Sequence, residues 1–540
     1  MYNTNNTNIM NLLYVIICSL LLALPASYEP NHFAKALFVG AFVQSLAYMV
    51  VFNLLCKKLL ILRKVVFVFL FILFTLETYT YVFFDSRFNP GMWTLVLQTS
   101  LQEIKEFFTV FFFKIEVLIA IISLSVVFIC LWNVLFGIHK VFSVSRWCRY
   151  TVNILSVLFV ILGFIIDKIP LPFDIGQNTI NELALSINFF KEKRGELKTI
   201  EAMLDKIVIS NSPSKDNAPI IVLVIGESFN KHHSSLYGYT LTTSPLMEAE
   251  QANGNLVVFN NAFTPTCATA NAMRFIFSLK SCNIQGDVSC VLMPSVFKKA
   301  GFHVAYIDNQ YTRSSGGVVD YSCGYFLNPE KINYSCFDYR NDKTYKFDGF
   351  FIEAEKNNLC KSPKSLNIIH MMGQHTDFVN RYPLQFSLFK ESDIRRSYLN
   401  ADQRQTVAEY DNATLYNDYV LKIILDYFRD SDAVVIYLSD HGERIYDDEN
   451  LCFGRMYSSF HEKSMMLNVY EVPFVAWCSD SFIEKHSDLY DALKQSQQRK
   501  ICTDDVSYLL FELAGVDFNY NSPSRSMINK DYISHKTIFE

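Results

Sequence analysis

The stretch IIVLVIGES, residues 220–228, decides the fold of the second half of this chain. Its first seven residues form the apolar run expected of a strand that is buried on both faces, and Glu227 follows directly. A second run of this kind, AVVIYLS at 433–439, continues into DHGE at 440–443. In open α/β sheets, ligands bind beyond the carboxyl ends of the strands. The residues after these two runs are therefore the first candidates for a site.

Two more strand-like runs, HVAYI at 303–307 and SLNIIHM at 365–371, occur between them, and 403–428 has the apolar spacing of a long helix. Strands that alternate with helices predict a mostly parallel sheet covered by helices on both faces. We assign this domain to residues 218–540, which are enough for one large α/β core.

Glu227, Asp440 and His441 should lie together at the edge where both strands end. Two carboxylates and an imidazole suit a divalent metal, with zinc the leading candidate and manganese or magnesium as alternatives. The competing interpretation is a helix-capping carboxylate and a histidine in a turn.

A nucleophile for such a site is offered by TPTCATANAMRFIFSL, residues 264–279. Thr269 should lie near a helix N-terminus, where free N–H groups favour a phosphate, and a divalent metal nearby makes its hydroxyl easier to ionise. Thr264, Thr266 and Ser278 are rival nucleophiles, and helix capping is the alternative role for Thr269.

Two histidines could reach the same edge: His375 in HMMGQHTDF and His461 in SSFHEK. Either could bind phosphate oxygens, protonate a leaving group or hold a second metal, and either could equally be a surface-loop residue. His370 lies within a strand run and is expected to be structural, whereas the sequence leaves the roles of His232 and His233 open.

The first 168 residues are much more apolar than the rest. The chain is 51% hydrophobic and 19% charged, against roughly a quarter charged in soluble domains. Five stretches approach or reach the ~20 residues of a membrane span, at 11–26, 36–56, 65–84, 117–138 and 150–166. We interpret 1–168 as a five-helix transmembrane domain whose first span is uncleaved, and 169–217 as a linker with bridging helices.

Basic residues cluster in the loops after the second and fourth predicted spans, which places those loops in the cytoplasm and the large C-terminal part outside. Cys282 with Cys290, and Cys323 with Cys336, are plausible local disulfides in such a compartment. The net charge of −5 provides no large basic surface, so nucleic acid is not an expected partner.

The ordered motifs resemble the membrane phosphoethanolamine transferases of Gram-negative bacteria, which modify lipid A and the lipopolysaccharide core. IGESFNKHHSSLYGY looks like their Gly-Glu-Ser/Thr motif, and the segment around Thr269 looks like their nucleophile helix. GQHTDFVNRYP, EYDNATLYNDYVL, YLSDHGE and EVPFVAW follow in the family's order. RFIFS lacks the cysteine that usually pairs beyond the nucleophile helix, so Cys267 must pair elsewhere or stay free.

This resemblance implies an alkaline phosphatase or sulfatase-type fold in the inner membrane, with its catalytic domain in the periplasm and no partner subunit. It implies zinc on Glu227, Thr269, Asp440 and His441, and phosphate binding by His375 and His461. Thr99 and Glu103 fall where the family's lipid-substrate pocket lies, although Leu95 replaces an asparagine often found there.

The implied reaction transfers phosphoethanolamine from phosphatidylethanolamine, through a covalent Thr269 intermediate, to lipid A, lipopolysaccharide core or another envelope acceptor. A glycerophosphate transferase or a phosphodiesterase of the same superfamily is the nearest enzymatic alternative. A non-catalytic membrane sensor or assembly protein that retains the fold is the alternative from another class.

Overall fold

The structure is a computed structural model of the chain. It describes the following residues: 4–24, 34–56, 59–84, 115–132, 135–136, 175–281, 286–310, 325–449, 451, 453–455 and 463–533. These residues fall into two compact units that meet in sequence between Lys191 and Glu192.

The first unit is helical. Its long helices are Thr4–Ala23, Ala34–Cys56, Leu60–Phe84, Ile115–Trp132 and the beginning of Ile175–Lys206. Phe67 is fully buried and stacks on Phe128 with ring centroids 5.7 Å apart. The guanidinium of Arg63 lies 4.2 Å from the ring centroid of Tyr14 and donates a 2.7 Å hydrogen bond to Asn11. Aromatic packing therefore joins the third of these helices to the fourth, and one buried cation joins the third to the first.

Four of the five predicted spans, at 11–26, 36–56, 65–84 and 117–138, overlap these helices, and the span at 150–166 lies outside the described residues. In the part of the chain that the structure describes, no helix is long and apolar enough to cross a membrane. The five-helix transmembrane domain is therefore not confirmed.

The described part of the second unit contains the strands β1 Ile209–Asn211, β2 Ile220–Gly226, β3 Leu256–Val258, β4 Asn261–Phe263, β5 His303–Asp308, β6 Tyr339–Arg340, β7 Ser365–His370, β8 Ala433–Ser439, β9 Phe474–Cys478, β10 Lys500–Cys502 and β11 Asp517–Phe518. Seven of them form the main sheet, in the order β3-β9-β8-β2-β7-β5-β6, while β1 pairs with β11 and β4 with β10. Neighbours from β8 to β6 pair in parallel, while β9 is antiparallel to both β8 and β3. The mostly parallel sheet is confirmed, and β2, β5, β7 and β8 are the four predicted strands.

Two apolar layers cover the sheet, and β2 contributes alternate residues to each. Ile221, Leu223 and Ile225 belong to one buried cluster, and Ile220, Val222 and Val224 to the other. Side chains alternate between the faces of a strand, so a strand covered on both faces must be apolar throughout. This is why the run at 220–226 has no polar alternation.

The remaining α-helices pack around this sheet. They are Pro245–Ala252, Thr269–Ile276, Met293–Lys299, Glu330–Cys336, Asp348–Glu355, Ala401–Phe428, Lys463–Tyr470, Asp480–Lys485, Ser487–Gln495 and Val506–Ala514. The long helix Ala401–Phe428 begins with a capping box in which Asn400 and Gln403 exchange hydrogen bonds of 2.9 and 3.0 Å between side chain and backbone. It matches the helix predicted at 403–428.

Residues 175–206 form one continuous helix, whereas the sequence predicts several bridging helices in 169–217. Its last turns carry Ile200, Met203 and Leu204 into the core of the second unit. Cys282 and Cys323 lie outside the described residues, so the two local disulfides stay predictions. Cys267 is a buried free thiol.

Candidate active site

The ends of β2 and β8 bring the first candidate residues together. The strands are parallel with Gly226 opposite Ser439, so Glu227 and Asp440 leave the sheet side by side. The N–H of Asp440 donates to the carbonyl of Gly226 at 3.1 Å, and the N–H of Ser228 donates to the Asp440 carboxylate at 3.1 Å. The sheet's own hydrogen bonds thus continue into the site and hold it.

Glu227, Asp440 and His441 are fully buried, and one ligand atom from each lies within 4.8 Å of the others. Nε2 of His441 is 3.2 Å from Oε1 of Glu227 and 3.1 Å from Oδ2 of Asp440. Nδ1 of His441 lies 2.9 Å from the carbonyl oxygen of Gly442, which can only accept a hydrogen bond. Nδ1 therefore carries a proton, and Nε2 is the ring atom that faces the two carboxylates.

Gly442 is required because the backbone of Asn468 passes against its Cα, and a Cβ would collide with the Asn468 carbonyl oxygen. The N–H of Gly442 also donates to the carbonyl of Val469 at 2.7 Å. The glycine of the DHGE motif thus lets the chain after β8 lie against the backbone of Asn468 and Val469.

These three side chains fit a divalent metal. Oδ2 of Asp440 is buried and accepts no hydrogen bond from any described residue, which is costly unless a cation satisfies it. Burial and the nearby Glu227 charge raise the pKa of the Asp440 carboxyl. Burial also raises the pKa of Glu227, but His441, His375 and Arg455 outweigh it and hold this pKa well below its usual value. Carboxylate oxygens and an imidazole nitrogen are ligands that zinc accepts.

Thr269 is the first residue of the helix Thr269–Ile276, which we call the nucleophile helix. Its Oγ1 lies 3.1 Å from Nε2 of His441 and 3.4 Å from Oε1 of Glu227. The hydroxyl therefore faces the same point as the three ligand atoms, at a helix N-terminus.

The rival nucleophiles are engaged elsewhere. Oγ1 of Thr264 is buried and donates to the carbonyl of Asp440 at 2.6 Å. Oγ1 of Thr266 accepts a 3.3 Å hydrogen bond from the N–H of Ala268. The hydroxyl of Ser278, just beyond the end of the nucleophile helix, donates a 2.6 Å hydrogen bond to the carbonyl of Arg274.

His375 follows β7 on a loop that is tied to the site, because the N–H of the preceding Gln374 donates to the carbonyl of Glu227 at 2.9 Å. Burial lowers the pKa of His375 to about 3, with Arg381 and Arg455 adding to that effect against the charge of Glu227. The ring is therefore neutral at pH 7. His461, Thr99 and Glu103 lie outside the described residues, and their placement stays a prediction.

The other histidines have structural environments. His370 is fully buried in β7 with Nδ1 3.0 Å from Oδ1 of Asp308, as expected of a structural residue. Nε2 of His232 lies 2.7 Å from the Glu471 carboxylate. His233 is fully buried between two aspartates.

Sequence reasoning missed two residues of the site. Gln310 follows β5, and its amide donates 3.1 Å to Oε2 of Glu227 and 2.8 Å to the carbonyl of Met371. The strand-end rule that selected Glu227 could have selected Gln310 as well. Arg455, whose Nη1 lies 2.6 Å from Nε2 of His441, follows no strand and had no comparable signal.

Comparisons with known proteins agree with this geometry. The sulfatase family model matches residues 219–516. The phosphoethanolamine transferase EptC of Escherichia coli (strain K12) is 25% identical over 482 residues, covering 84% of this chain and 79% of that protein. The C-terminal periplasmic domain of Escherichia coli EptC, solved in complex with Zn, matches with a TM-score of 0.50 and 26% identity over 60% of this chain and 90% of that one.

A full-length match also exists. The integral membrane protein lipooligosaccharide phosphoethanolamine transferase A (EptA) from Neisseria meningitidis aligns with a TM-score of 0.64 at 18% identity, over 97% of this chain and 98% of that one. At this identity the match shows a shared fold.

The second unit is an α/β domain in which the Thr269 hydroxyl lies beside three side chains that fit a divalent metal, and the chain belongs to the sulfatase family. Its relatives within that family include named phosphoethanolamine transferases, which confirms the resemblance predicted from the motifs.

Proposed function

We propose that this protein transfers phosphoethanolamine from phosphatidylethanolamine to an envelope acceptor, lipid A or lipopolysaccharide core, with Thr269 as the covalent nucleophile. The relatives named above support the transferred group. The observation that carries the proposal is the position of the Thr269 hydroxyl, 3.1 Å from His441 and 3.4 Å from Glu227.

Glu227, Asp440 and His441 are the proposed protein ligands of a zinc ion, with Thr269 as the fourth. A bound zinc would act as a Lewis acid toward a phosphoryl oxygen and lower the pKa of the threonine hydroxyl. The zinc complex of the related EptC domain favours zinc over manganese or magnesium.

In the first half of the reaction, Oγ1 of Thr269 attacks phosphorus. The O–P bond to threonine forms while the P–O bond to diacylglycerol breaks, and the threonine proton ends on the diacylglycerol oxygen. In the second half, an acceptor oxygen attacks the same phosphorus, the bond to Oγ1 breaks, and the acceptor's proton returns to Thr269. The N–H groups at the start of the nucleophile helix face the phosphoryl group throughout.

His375 and His461 are the proposed phosphate-binding and proton-transferring side chains. A neutral His375 suits a hydrogen bond from its ring N–H to a phosphoryl oxygen and can accept a proton from a reacting hydroxyl. Thr99 and Glu103 are the proposed contacts to the lipid head group.

We also propose that residues 1–168 anchor a monomer in the bacterial inner membrane through five spans, with residues 218–540 in the periplasm. Such an anchor would keep a lipid donor within reach of the site. The membrane origin of the related EptA supports this assignment.

The test is mass spectrometry of the full-length, zinc-loaded protein after incubation with phosphatidylethanolamine, with peptide mapping around Thr269. We expect a phosphoethanolamine adduct on Thr269 and release of diacylglycerol. Thr269→Ala should abolish both, while the matched control Thr266→Ala should retain both, because the Thr266 hydroxyl, among the described residues, accepts a hydrogen bond from the backbone N–H of Ala268 and makes no contact with the proposed ligands.

An adduct in Thr269→Ala would overturn the nucleophile assignment. A glycerophosphate adduct on Thr269 would instead identify a glycerophosphate transferase, and zinc-loaded protein that yields neither adduct nor diacylglycerol would refute phosphatidylethanolamine as the donor.

A further inference from the structure

Arg455 presents a guanidinium to the reacting hydroxyl. Its Nη1 lies 3.4 Å from Oγ1 of Thr269, 2.6 Å from Nε2 of His441 and 3.4 Å from the carbonyl of Cys267. We propose that Arg455 is a further catalytic residue, which binds a phosphoryl oxygen during transfer to and from Thr269 and is held in place by Glu443. This inference rests on the proposed function for the identity of the transferred group.

The chain after the DHGE motif doubles back to bring Arg455 to the site. Ile445 and Phe453 form an antiparallel bridge, and the backbone N–H of Gly454 donates to the carbonyl of Arg444 at 3.0 Å. Nε of Arg444 returns a 2.8 Å hydrogen bond to the carbonyl of Gly454. A hairpin-like loop therefore places Arg455 beside residues that precede it by more than ten positions.

Gly454 permits this return. Its φ of +78° lies in the left-handed region, which side chains with a Cβ rarely adopt. The glycine thus serves the loop that delivers Arg455.

Glu443 fixes the orientation of the guanidinium. Its side chain is only 1% exposed, and its Oε2 lies 3.3 Å from Nε of Arg455. Within the part of the chain that the structure describes, neither carboxylate oxygen of Glu443 accepts a hydrogen bond, so this ion pair is its compensation for burial. With Nε facing Glu443, Nη1 of Arg455 faces Thr269 and His441.

The contact to His441 decides between a structural and a catalytic role. Nδ1 of His441 carries a proton toward the carbonyl of Gly442, so Nε2 offers one lone pair in the neutral ring that a metal requires, and Nη1 of Arg455 lies 2.6 Å from this atom. The same lone pair cannot both accept from Arg455 and bind the metal. Metal binding therefore removes the His441 acceptor from Arg455 and leaves a charged N–H donor next to Thr269.

A phosphoryl oxygen is the natural replacement acceptor. A guanidinium is charged at all relevant pH values and matches phosphate oxygens in geometry. Negative charge on the equatorial oxygens must be stabilised as the bond to Oγ1 of Thr269 forms and breaks. Arg455 keeps its proton throughout and contributes only charge and hydrogen bonds.

The experiment measures three properties of full-length Arg455→Ala and Arg455→Lys, with Arg395→Ala as the control because Arg395 is an exposed arginine. Inorganic phosphate is titrated into the zinc-loaded proteins by calorimetry. Zinc is titrated into the metal-free proteins without phosphate. Adduct formation from phosphatidylethanolamine is followed in a single turnover.

For Arg455→Ala we expect phosphate affinity to fall about tenfold or more and adduct formation to slow by about 100- to 1,000-fold. Zinc affinity should stay equal or increase, because the competitor for Nε2 of His441 is gone. Arg455→Lys should recover part of the phosphate affinity but not all of it, since an ammonium lacks the planar fork. Arg395→Ala should match the parent protein in all three.

Unchanged phosphate affinity in Arg455→Ala and Arg455→Lys, or loss of zinc binding in both, would overturn the proposal and make Arg455 a structural residue. The phosphate titration does not depend on the donor lipid. If the parent protein forms no adduct from phosphatidylethanolamine, the proposed function fails while the phosphate result still decides the role of Arg455.

Discussion

Two buried histidines in this protein each lie between two carboxylates, with different arrangements. His441 turns Nδ1 to the carbonyl of Gly442 and directs Nε2 alone at the two carboxylates of the site. His233 directs one ring nitrogen at each partner, with Nδ1 2.6 Å from Asp411 and Nε2 2.8 Å from Asp447. The first arrangement directs a single ring nitrogen at both carboxylates, where a metal can replace its proton, and the second requires two protons.

The remaining carboxylate oxygens follow the same division. Oδ2 of Asp411 accepts from the Tyr239 hydroxyl at 2.8 Å, and Oδ2 of Asp447 accepts from the N–H of Ile445 at 2.9 Å. Oδ2 of Asp440, in contrast, accepts no hydrogen bond from the residues that the structure describes. The same chemical groups, one imidazole and two carboxylates, thus form a closed ion-pair network in one place and an open ligand set in the other. The supply of N–H and O–H donors distinguishes them.

The largest expected effect comes from neutralising one aspartate of each group. Asp440→Asn removes a ligand charge, so zinc affinity should fall by about 1,000-fold and turnover should be lost with it. Asp447→Asn is the matched control, since it alters the closed network and should keep zinc. Zinc titration of both full-length variants by calorimetry checks this. Equal zinc affinity in Asp440→Asn and the parent would remove Asp440 from the ligand set.

The second expected effect is on stability. His233→Gln leaves Asp411 buried without its cation and leaves Asp447 with Arg396, 3.4 Å away, as its remaining cation, which should lower the free energy of unfolding by about 3–5 kcal/mol. Zinc affinity should not change, because His233 is not a ligand. Urea unfolding of the full-length protein in detergent, followed by limited proteolysis, measures the first quantity. Loss of zinc without loss of stability would contradict the division between the two histidines.

The closed network also predicts a pH dependence. Burial lowers the pKa of His233, but Asp411 and Asp447 outweigh it and raise this pKa to about 9. A raised pKa stabilises the fold below the unfolded value of about 6.5, and that stability is lost as pH rises through the folded value. The loss between pH 6.5 and 9 should be on the order of 3 kcal/mol.

His233→Gln tests this sign directly, because it removes the titrating group. Unfolding curves of parent and variant, measured at several pH values across that window, should converge as pH rises. Curves that stay parallel from pH 6.5 to 9 would show that His233 does not titrate there.

The sequence predicted those site residues whose positions follow from the secondary structure around them. Glu227, Asp440 and His441 directly follow apolar strands, and parallel pairing alone brings them together. The prediction of Thr269 rested on its place near a predicted helix N-terminus and on the family resemblance. Strand ends, helix starts and motifs are all local features of the sequence, so these residues could be predicted from it.

Residues that loops bring to the site could not be predicted in the same way. Arg455 reaches the site because the bridge between Ile445 and Phe453 turns the chain back, and we found no local sequence pattern that predicts this turn. His233 lies in a polar loop, and its burial depends on Asp411 from the long helix, 178 positions away. The sequence shows such side chains, but their partners come from tertiary structure.

The smallest expected effect concerns Gln310, which supports one carboxylate of the open ligand set, that of Glu227. Its amide donates 3.1 Å to Oε2 of Glu227 and 2.8 Å to the carbonyl of Met371, so it orients a ligand without being one. Hydrogen-bond partners of ligands typically change metal affinity by about 10- to 100-fold. For Gln310→Leu we expect zinc affinity to fall about tenfold, which is about 1.4 kcal/mol.

The matched control is Gln405→Leu, since Gln405 is exposed and bonds only to Glu409 on its own helix among the contacts that the structure describes. Zinc titration of both variants should separate them, with Gln405→Leu equal to the parent. An unchanged zinc affinity in Gln310→Leu would mean that Ser228, whose hydroxyl donates 2.7 Å to Oε1 of Glu227, is enough to orient that carboxylate. The ends of β2 and β8 would then be enough to set the geometry of the open ligand set, and Gln310 at the end of β5 would contribute nothing to it.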